Sequence, residues 1–312
     1  MQISTAQLFH QAYGTFAIGA FNVFTMEQVL GLFKGAAESA APIIVAVTPV
    51  ARRYASPGMM AAMVKAASNL YPDVVFAVHL DHGDRNHCAD AIESGDYHSV
   101  MIDASYETFD KNIAFTSEIV RKAHAVSMHV EAELGLLSGI EDDVNIADKQ
   151  ALYTDPEQAL EFVQRTQCDS LAVAVGTSHG AYKFSGGSGL RLEILQQIGK
   201  KLPGFPLVLH GASAVPHDEI ERINAAGGAL KSSAQGANPD ELQRAISLGV
   251  CKINIATDAR LIWTRVHREF FRDHPDKFDP IVPGQHYMSD YAEFVGVKCQ
   301  LLGANGKARL FT

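Results

Sequence analysis

The stretch Phe16–Thr48, FAIGAFNVFTMEQVLGLFKGAAESAAPIIVAVT, decides the fold. Its two ends, FAIGAFNV and IIVAVT, are short apolar runs without strict polar alternation, as expected of parallel strands buried on both faces. Between them MEQVLGLFKGAAESA carries a helical pattern, so the whole reads as strand, helix, strand. The same alternation continues outward. Further apolar runs are VVFAVHLDH from Val74, SVMIDAS from Ser99, HVEAEL from His129, LAVAVG from Leu171, LVLHG from Leu207 and VCKINIAT from Val250. Helical patterns lie between them in PGMMAAMVKAASNLY, DKNIAFTSEIVRKAHA, DPEQALEFVQRT and NPDELQRAISLG, with Pro57 suited to a first helical turn after Ser56. Eight such alternations predict an α/β fold, the (β/α)8 TIM barrel, as a single domain over residues 1–312 with extra C-terminal helices. A doubly wound open sheet is the alternative, but no GxGxxG follows the first strand.

The composition agrees. Of 312 residues, 47% are hydrophobic and 20% charged, enough apolar material for a large core and too much for a disordered chain. No run approaches the roughly 18 apolar residues of a membrane span. The net charge of −9, with no Lys/Arg cluster, predicts no nucleic-acid groove and no membrane surface. Cys88, Cys168, Cys251 and Cys299 are scattered, which reads as reduced thiols in a cytoplasmic protein. The opening MQISTAQLFHQAYG has neither the basic nor the apolar region of a signal peptide. Two connections exceed what barrel closure requires: LLSGIEDDVNIADKQALYTDP after the fifth strand and SHGAYKFSGGSG after the sixth. Long loops on a barrel usually serve function. After the eighth helix, TDARLIWTRVHREFFRDHP, the segment SDYAEFVGVKCQLLG reads as a helix packed on the barrel or on a neighbour.

Active residues of barrels gather at the C-terminal ends of the strands. Those ends hold Asn22, Thr48, Asp81, His82, Asp103, Glu133, His179, His210, Asn254 and Asp258. A lone histidine among thirteen is more often a core or surface residue than a ligand. His82, His179 and His210, however, sit at the ends of the third, sixth and seventh strands. Three imidazoles with one coordination position left open make a catalytic zinc site. Asp81 beside His82 suits a general acid/base or a partner of a metal ligand. Asp103 and Glu133 suit orienting the histidines, holding a second cation, or pairing with Lys or Arg. Gly180, Gly211 and the GGSG run from Gly186 suit turns whose amides bind anions. Ser213, Thr257 and Lys183 add donors for a phosphate pocket near strands seven and eight. Lys252, inside the eighth strand, leaves a Schiff-base mechanism open.

Taken together, VHLDHG, SVMIDAS, HVEAELG, GTSHGAYK, LHGAS and KINIATD resemble, in order and spacing, the class II zinc-dependent ketose-bisphosphate aldolases. The likeness runs from about Phe21 to Lys307 and looks most like the family's type B branch. The resemblance implies His82, His179 and His210 as zinc ligands and Asp81 as the general acid/base. It places Asp103 and Glu133 near the metal, where some relatives hold a second cation, and Glu141 in a loop as a proton carrier. Gly180, Lys183, Gly211, Ser213, Asn254 and Thr257 correspond to the surroundings of the first phosphate and the substrate hydroxyls, and Asn22 and Thr48, at their strand ends, are further substrate-binding candidates. A sodium or potassium ion near that phosphate is a family trait. Arg260 matches an arginine that reaches the distal phosphate, often in a neighbouring subunit, which implies a homodimer or larger assembly.

Two positions depart from the fructose pattern. NIATD stands where that branch reads NIDTD or NIDSD, so Ala256 replaces an aspartate that contacts sugar hydroxyls. AVTP stands where it reads QVS. Both are closer to the tagatose branch. The expected reaction is reversible cleavage of a ketose 1,6-bisphosphate to dihydroxyacetone phosphate and an aldehyde. A ketose 1-phosphate with another distal anion, such as 6-deoxy-6-sulfofructose 1-phosphate, is the alternative. Three rivals remain: a lysine-imine aldolase, a metal-dependent hydrolase suggested by HLDH, and a non-catalytic barrel subunit. The hydrolases carry their pair on the first strand, and a non-catalytic subunit should have lost ligands or the acid.

Overall fold

The computed structural model describes residues 1–136, 139–141, 144–146, 152–177, 189–213, 216–231 and 238–311. In chain order its strands are β1 Ile18–Asn22, β2 Ile43–Val47, β3 Phe76–Gly83, β4 Ser99–Ile102, β5 His129–Leu134, β6 Gly139–Glu141, β7 Val144–Ile146, β8 Ser170–Val173, β9 Leu207–Leu209 and β10 Val250–Ile255. Eight of these close a parallel barrel in the order β1-β10-β9-β8-β5-β4-β3-β2, and each coincides with one of the eight apolar runs. The first and last strands meet in register, Ala20 beside Asn254. β6 and β7 are an antiparallel hairpin inside the first long connection, where the sequence predicts only a loop. The Asp-rich GIEDDVNI hides it, because acidic residues are depleted from strands.

Helices surround the barrel: α1 Thr5–Ala12, α2 Met26–Ser39, α3 Pro49–Ala55, α4 Pro57–Leu70, α5 Arg85–Ser94, α6 Phe109–His124, α7 Pro156–Thr166, α8 Leu192–Lys201, α9 His217–Ala225, α10 Pro239–Ser247, α11 Thr257–Asp273 and α12 Ile281–Leu301. As the sequence predicts, Pro57 opens α4 behind an N-capping Ser56, whose hydroxyl accepts the Met59 N–H at 3.3 Å. α12 starts eight residues before Ser289, where the sequence places it. Pro283 lies in its first turn, where no N–H is needed for the helix ladder, so the helix includes it. Among the described residues no helix is long and apolar enough to cross a membrane.

α12 packs lengthwise on α2 and covers the β1 side of the barrel. Gly31 and Gly35, one turn apart on α2, permit the approach. A methyl group on Gly35 would stand 2.4 Å from the Ala292 carbonyl and 2.7 Å from Val295 Cβ. Tyr287 and Tyr291 of α12 are fully buried there, their rings stacked with centroids 5.5 Å apart. Gly35→Ala is therefore expected to destabilise the protein by about 1–3 kcal/mol through overpacking, seen as a lower Tm in thermal unfolding. An unchanged Tm would show that α12 can slide without loss.

Candidate active site

Inside the barrel, alternate strand residues point at one another, and they are not mainly apolar. Met101, Ala172 and Val208 form a small apolar cluster there, and Ala20 and Ala46 share the faces of Asn254 and His79. The polar residues are layered along the strand direction. His79, Glu131 and Lys252 make a lower layer. Asp81, Glu133, His210, Asn22 and Asn254 stand two residues or one strand end higher, all buried.

The upper layer depends on an irregularity in β3. Leu80 pairs with Val100 and Gly83 with Ile102, so β3 spends three steps where β4 spends two. That is a bulge. At its centre His82 has φ +50°, in the left-handed region that side chains with a Cβ seldom adopt. In a regular strand, consecutive side chains point to opposite faces. Here the bulge turns Asp81 and His82 toward the same space, and both lie near His210 of the β9 end. Ligand atoms of these three residues are all within 4.8 Å of one another. Gly83 completes the turn. A Cβ on it would meet Leu80 Cδ2 at 2.6 Å and the Met101 carbonyl at 3.1 Å.

Hydrogen bonds fix the imidazoles. His82 Nδ1 lies 2.9 Å from Asp103 Oδ2. Burial by itself would raise the Asp103 pKa, but the His82 ring and the Ser105 N–H and hydroxyl outweigh it and draw the carboxyl down to about 2. A carboxylate only accepts, so His82 Nδ1 carries the hydrogen and Nε2 is turned toward the site. His210 Nε2 lies 3.0 Å from Glu131 Oε1, and the same reasoning gives its hydrogen to Nε2. Its Nδ1 faces the Asn254 amide nitrogen at 3.2 Å and His82 Nε2 at 2.8 Å. Burial above all lowers the His210 pKa, which keeps the ring neutral. His82 Nε2 and His210 Nδ1 thus come within 2.8 Å of each other and point into one space. Imidazole nitrogens that converge beside a carboxylate suit a zinc-like divalent ion. The donor set fits the divalent ion that the sequence predicts.

Asp81 is fully buried and held at both oxygens. Asn22 Nδ2 donates to Oδ2 at 2.8 Å and Asn254 Nδ2 to Oδ1 at 2.9 Å. These neutral donors orient the carboxylate without neutralising it. They also turn the Oδ1 atoms of Asn22 and Asn254 away from Asp81. Both Oδ1 atoms are buried with no hydrogen-bond partner. Buried acceptors of this kind are costly unless a donor arrives.

The other predicted residues fall around this centre. Glu133 is buried at the end of β5, within 4.8 Å of His82 and Asp103 ligand atoms. Thr48 is buried, and its hydroxyl caps α3 by accepting the Ala51 N–H at 3.3 Å. Gly211 takes φ +64° just after His210, a backbone only glycine adopts without strain. Ser213 Oγ accepts the Ala256 N–H at 3.4 Å and so ties the turn after β9 to the start of α11. Thr257 opens α11, and Ala256 precedes it without a side-chain cap. Asp258 is buried with Lys298 at 3.4 Å, a structural pair. Arg260, exposed on α11, lays its guanidinium 4.8 Å over the Phe24 ring. Glu141 ends β6, but its side chain lies outside what the structure describes, as do His179, Gly180 and Lys183 altogether.

The lower layer escapes a reading of strand ends. Lys252 Nζ lies 2.9 and 2.8 Å from the two Glu131 oxygens and 3.3 Å from His79 Nε2. His79 Nδ1 meets Ser99 Oγ at 2.7 Å. Burial foremost, then the Lys252 charge, pushes the His79 pKa down to about 3, so the ring is neutral. Burial would raise the Glu131 pKa, but Lys252 and the His210 bond hold it below the usual carboxylate range. Lys252 is thus engaged by a buried carboxylate, unlike the reachable amine that imine chemistry needs. The signal was present in the sequence as polar residues two apart, His79/Asp81, Glu131/Glu133 and Lys252/Asn254, inside otherwise apolar runs.

Comparison with known proteins agrees with this geometry. The family described as class-II fructose-bisphosphate aldolase matches residues 3–307. A fructose-bisphosphate aldolase of Thermus caldophilus is 42% identical over 297 residues, covering 94% of this chain and 95% of its own. One from Giardia intestinalis is 41% identical over 299 residues, covering 94% and 90%. The crystal structure of the YdjI aldolase from Escherichia coli K12 superposes with a TM-score of 0.78 at 28% identity, covering 99% of this chain and all of that one. The chain belongs to the class-II fructose-bisphosphate aldolase family, whose members are carbon–carbon lyases acting on sugar phosphates.

Proposed function

We propose that this protein is a zinc-dependent aldolase that reversibly cleaves a ketose 1,6-bisphosphate, of fructose or tagatose type, to dihydroxyacetone phosphate and an aldehyde. The convergence of His82 Nε2 and His210 Nδ1 beside the buried Asp81 carries the reading. His82 and His210, with His179 as third ligand, would hold the ion, and Asp103 and Glu133 would stand next to it. When bound, the ion acts as a Lewis acid that stabilises negative charge developing on substrate oxygen.

The protein's own groups do the rest. Asp81 takes the proton from the C4 hydroxyl, the C3–C4 bond breaks, and the aldehyde leaves. The electron pair stays with the dihydroxyacetone phosphate half, and Glu141 returns a proton to its C3. The Oδ1 atoms of Asn22 and Asn254 accept substrate hydroxyls, which removes the cost of their burial. Gly180, Lys183, Gly211, Ser213 and Thr257 hold the 1-phosphate, helped by the first-turn amides of α11. Thr48 lines the substrate side. Arg260 serves the distal phosphate, in a homodimer or larger assembly. A sodium or potassium ion beside the phosphate, one barrel domain over residues 1–312 and a cytoplasmic location complete the proposal.

Ala256 decides which sugar is preferred. Restoring a carboxylate partner for a hydroxyl adds about 1 kcal/mol, or about fivefold. Ala256→Asp is expected to shift the ratio of fructose to tagatose 1,6-bisphosphate cleavage toward fructose by at least that factor. The ratio is the right readout, because an aspartate there would also cap α11 and stabilise the fold. An unchanged ratio would refute the role of this position. Failure of the parent protein to cleave either sugar, with zinc bound, would favour a ketose 1-phosphate with another distal anion, 6-deoxy-6-sulfofructose 1-phosphate first.

A further inference from the structure

Taking the metal site proposed above as given, we propose that Glu131 is a positioning residue for the metal: it sets the tautomer of His210, and Lys252, bonded to both its oxygens, keeps it an acceptor. Glu131 touches neither substrate nor ion in this reading. It lies one layer below Asp81 and Glu133 and bonds two partners at once. Its Oε1 accepts from His210 Nε2 at 3.0 Å, and both its oxygens accept from Lys252 Nζ at 2.8 and 2.9 Å. An ammonium on both oxygens leaves the carboxylate nothing to donate. His210 must therefore bear its hydrogen on Nε2, and its Nδ1 lone pair is delivered upward toward His82 Nε2. Asn254 agrees from the other side, with its amide nitrogen 3.2 Å from His210 Nδ1. A flip of the ring is disfavoured as well, since it would put a ring C–H where Nε2 now donates to the carboxylate. Partners of this kind raise ligand affinity by holding ring and tautomer ready.

The role of Lys252 makes a distinctive expectation. Lys252 Nζ lies within 2.9 Å of both Glu131 oxygens, so a glutamine there sets its NH2 against the ammonium in either orientation. With its NH2 toward His210 Nε2, that ring nitrogen must accept, the hydrogen moves to Nδ1, and the metal face is blocked. Without the ammonium that opposition is gone, and the amide oxygen is free to accept from Nε2. Glu131→Gln is expected to weaken zinc binding about 10–100-fold in a chelator competition. Glu131→Gln combined with Lys252→Met is expected to recover much of that loss, although it carries one more substitution. A merely structural role for the pair predicts the opposite, a double variant no better than the single one.

The measurement uses the full-length protein, with His210→Ala as reference for loss of the site. Unchanged zinc affinity in Glu131→Gln, while His210→Ala still loses zinc, would overturn the positioning role and leave the metal site standing. A parent protein that binds no zinc would overturn both. Should Glu131→Gln fail to fold, the parent alone still decides, by ¹⁵N NMR of the metal-free protein. A hydrogen on His210 Nε2 is expected there, and a hydrogen on Nδ1 would overturn the proposal.

Discussion

Replacing Asp81 by alanine is expected to lower turnover by about 10²–10⁴-fold, the usual contribution of a positioned general base, while zinc remains bound. The carboxylate is the one buried acid in the upper layer held at both oxygens by neutral amides, Asn22 at 2.8 Å and Asn254 at 2.9 Å. Glu131 is engaged by Lys252 and the His210 ring hydrogen, and Asp103 by the His82 ring. Removal of Asp81 strips the only base placed beside both imidazoles of the described site. The amide donors left behind lose an ionic partner, so stability falls as well, by about 1–3 kcal/mol. Turnover and zinc content must therefore be measured on the same folded sample. Lost zinc along with lost turnover would make Asp81 a ligand, and full turnover would end its assignment as the base.

Replacing Lys252 by methionine is expected to cost about 3–5 kcal/mol of stability at neutral pH, because it leaves Glu131 buried and uncompensated. The pH dependence follows from the same pair. In the parent, Glu131 titrates below its unfolded value of about 4.3, so its contribution is present above that pH and is lost as pH falls through the lower, folded value. In the variant, burial is no longer opposed and raises the carboxyl pKa. Folding then penalises the ionised form, and the penalty relaxes as pH falls toward 4–5. The gap between parent and variant, measured on metal-free protein by urea unfolding, should be widest near neutrality and narrow in mild acid. A gap independent of pH would mean that lost packing, not charge, explains the cost.

The eight barrel strands were legible because strands buried on both faces are written as apolar runs, and nothing else in the chain resembles them. The strand-end residues were legible for a related reason, since Asp81, His82 and His210 are polar groups placed where those runs stop. Glu131, Lys252 and His79 were harder to read. They lie within the runs, and only period-two alternation separates an inward charge from an accident of sequence. The bulge at His82 was also hidden, because LDHG looks like ordinary strand until pairing with β4 is known. The start of α12 was read eight residues late, because Pro283 and Gly284 stand in its opening turns. Acidic residues hid the β6–β7 hairpin.

Release of dihydroxyacetone phosphate from fructose and tagatose 1,6-bisphosphates, before and after EDTA and again after zinc is restored, tests the central claim most directly. Cleavage of at least one sugar should vanish with chelation and return with zinc, and His210→Ala should not recover at the zinc concentration that rescues the parent. Cleavage that survives EDTA, with borohydride trapping substrate on Lys252, would contradict the metal mechanism and place the chemistry in the lower layer of the barrel.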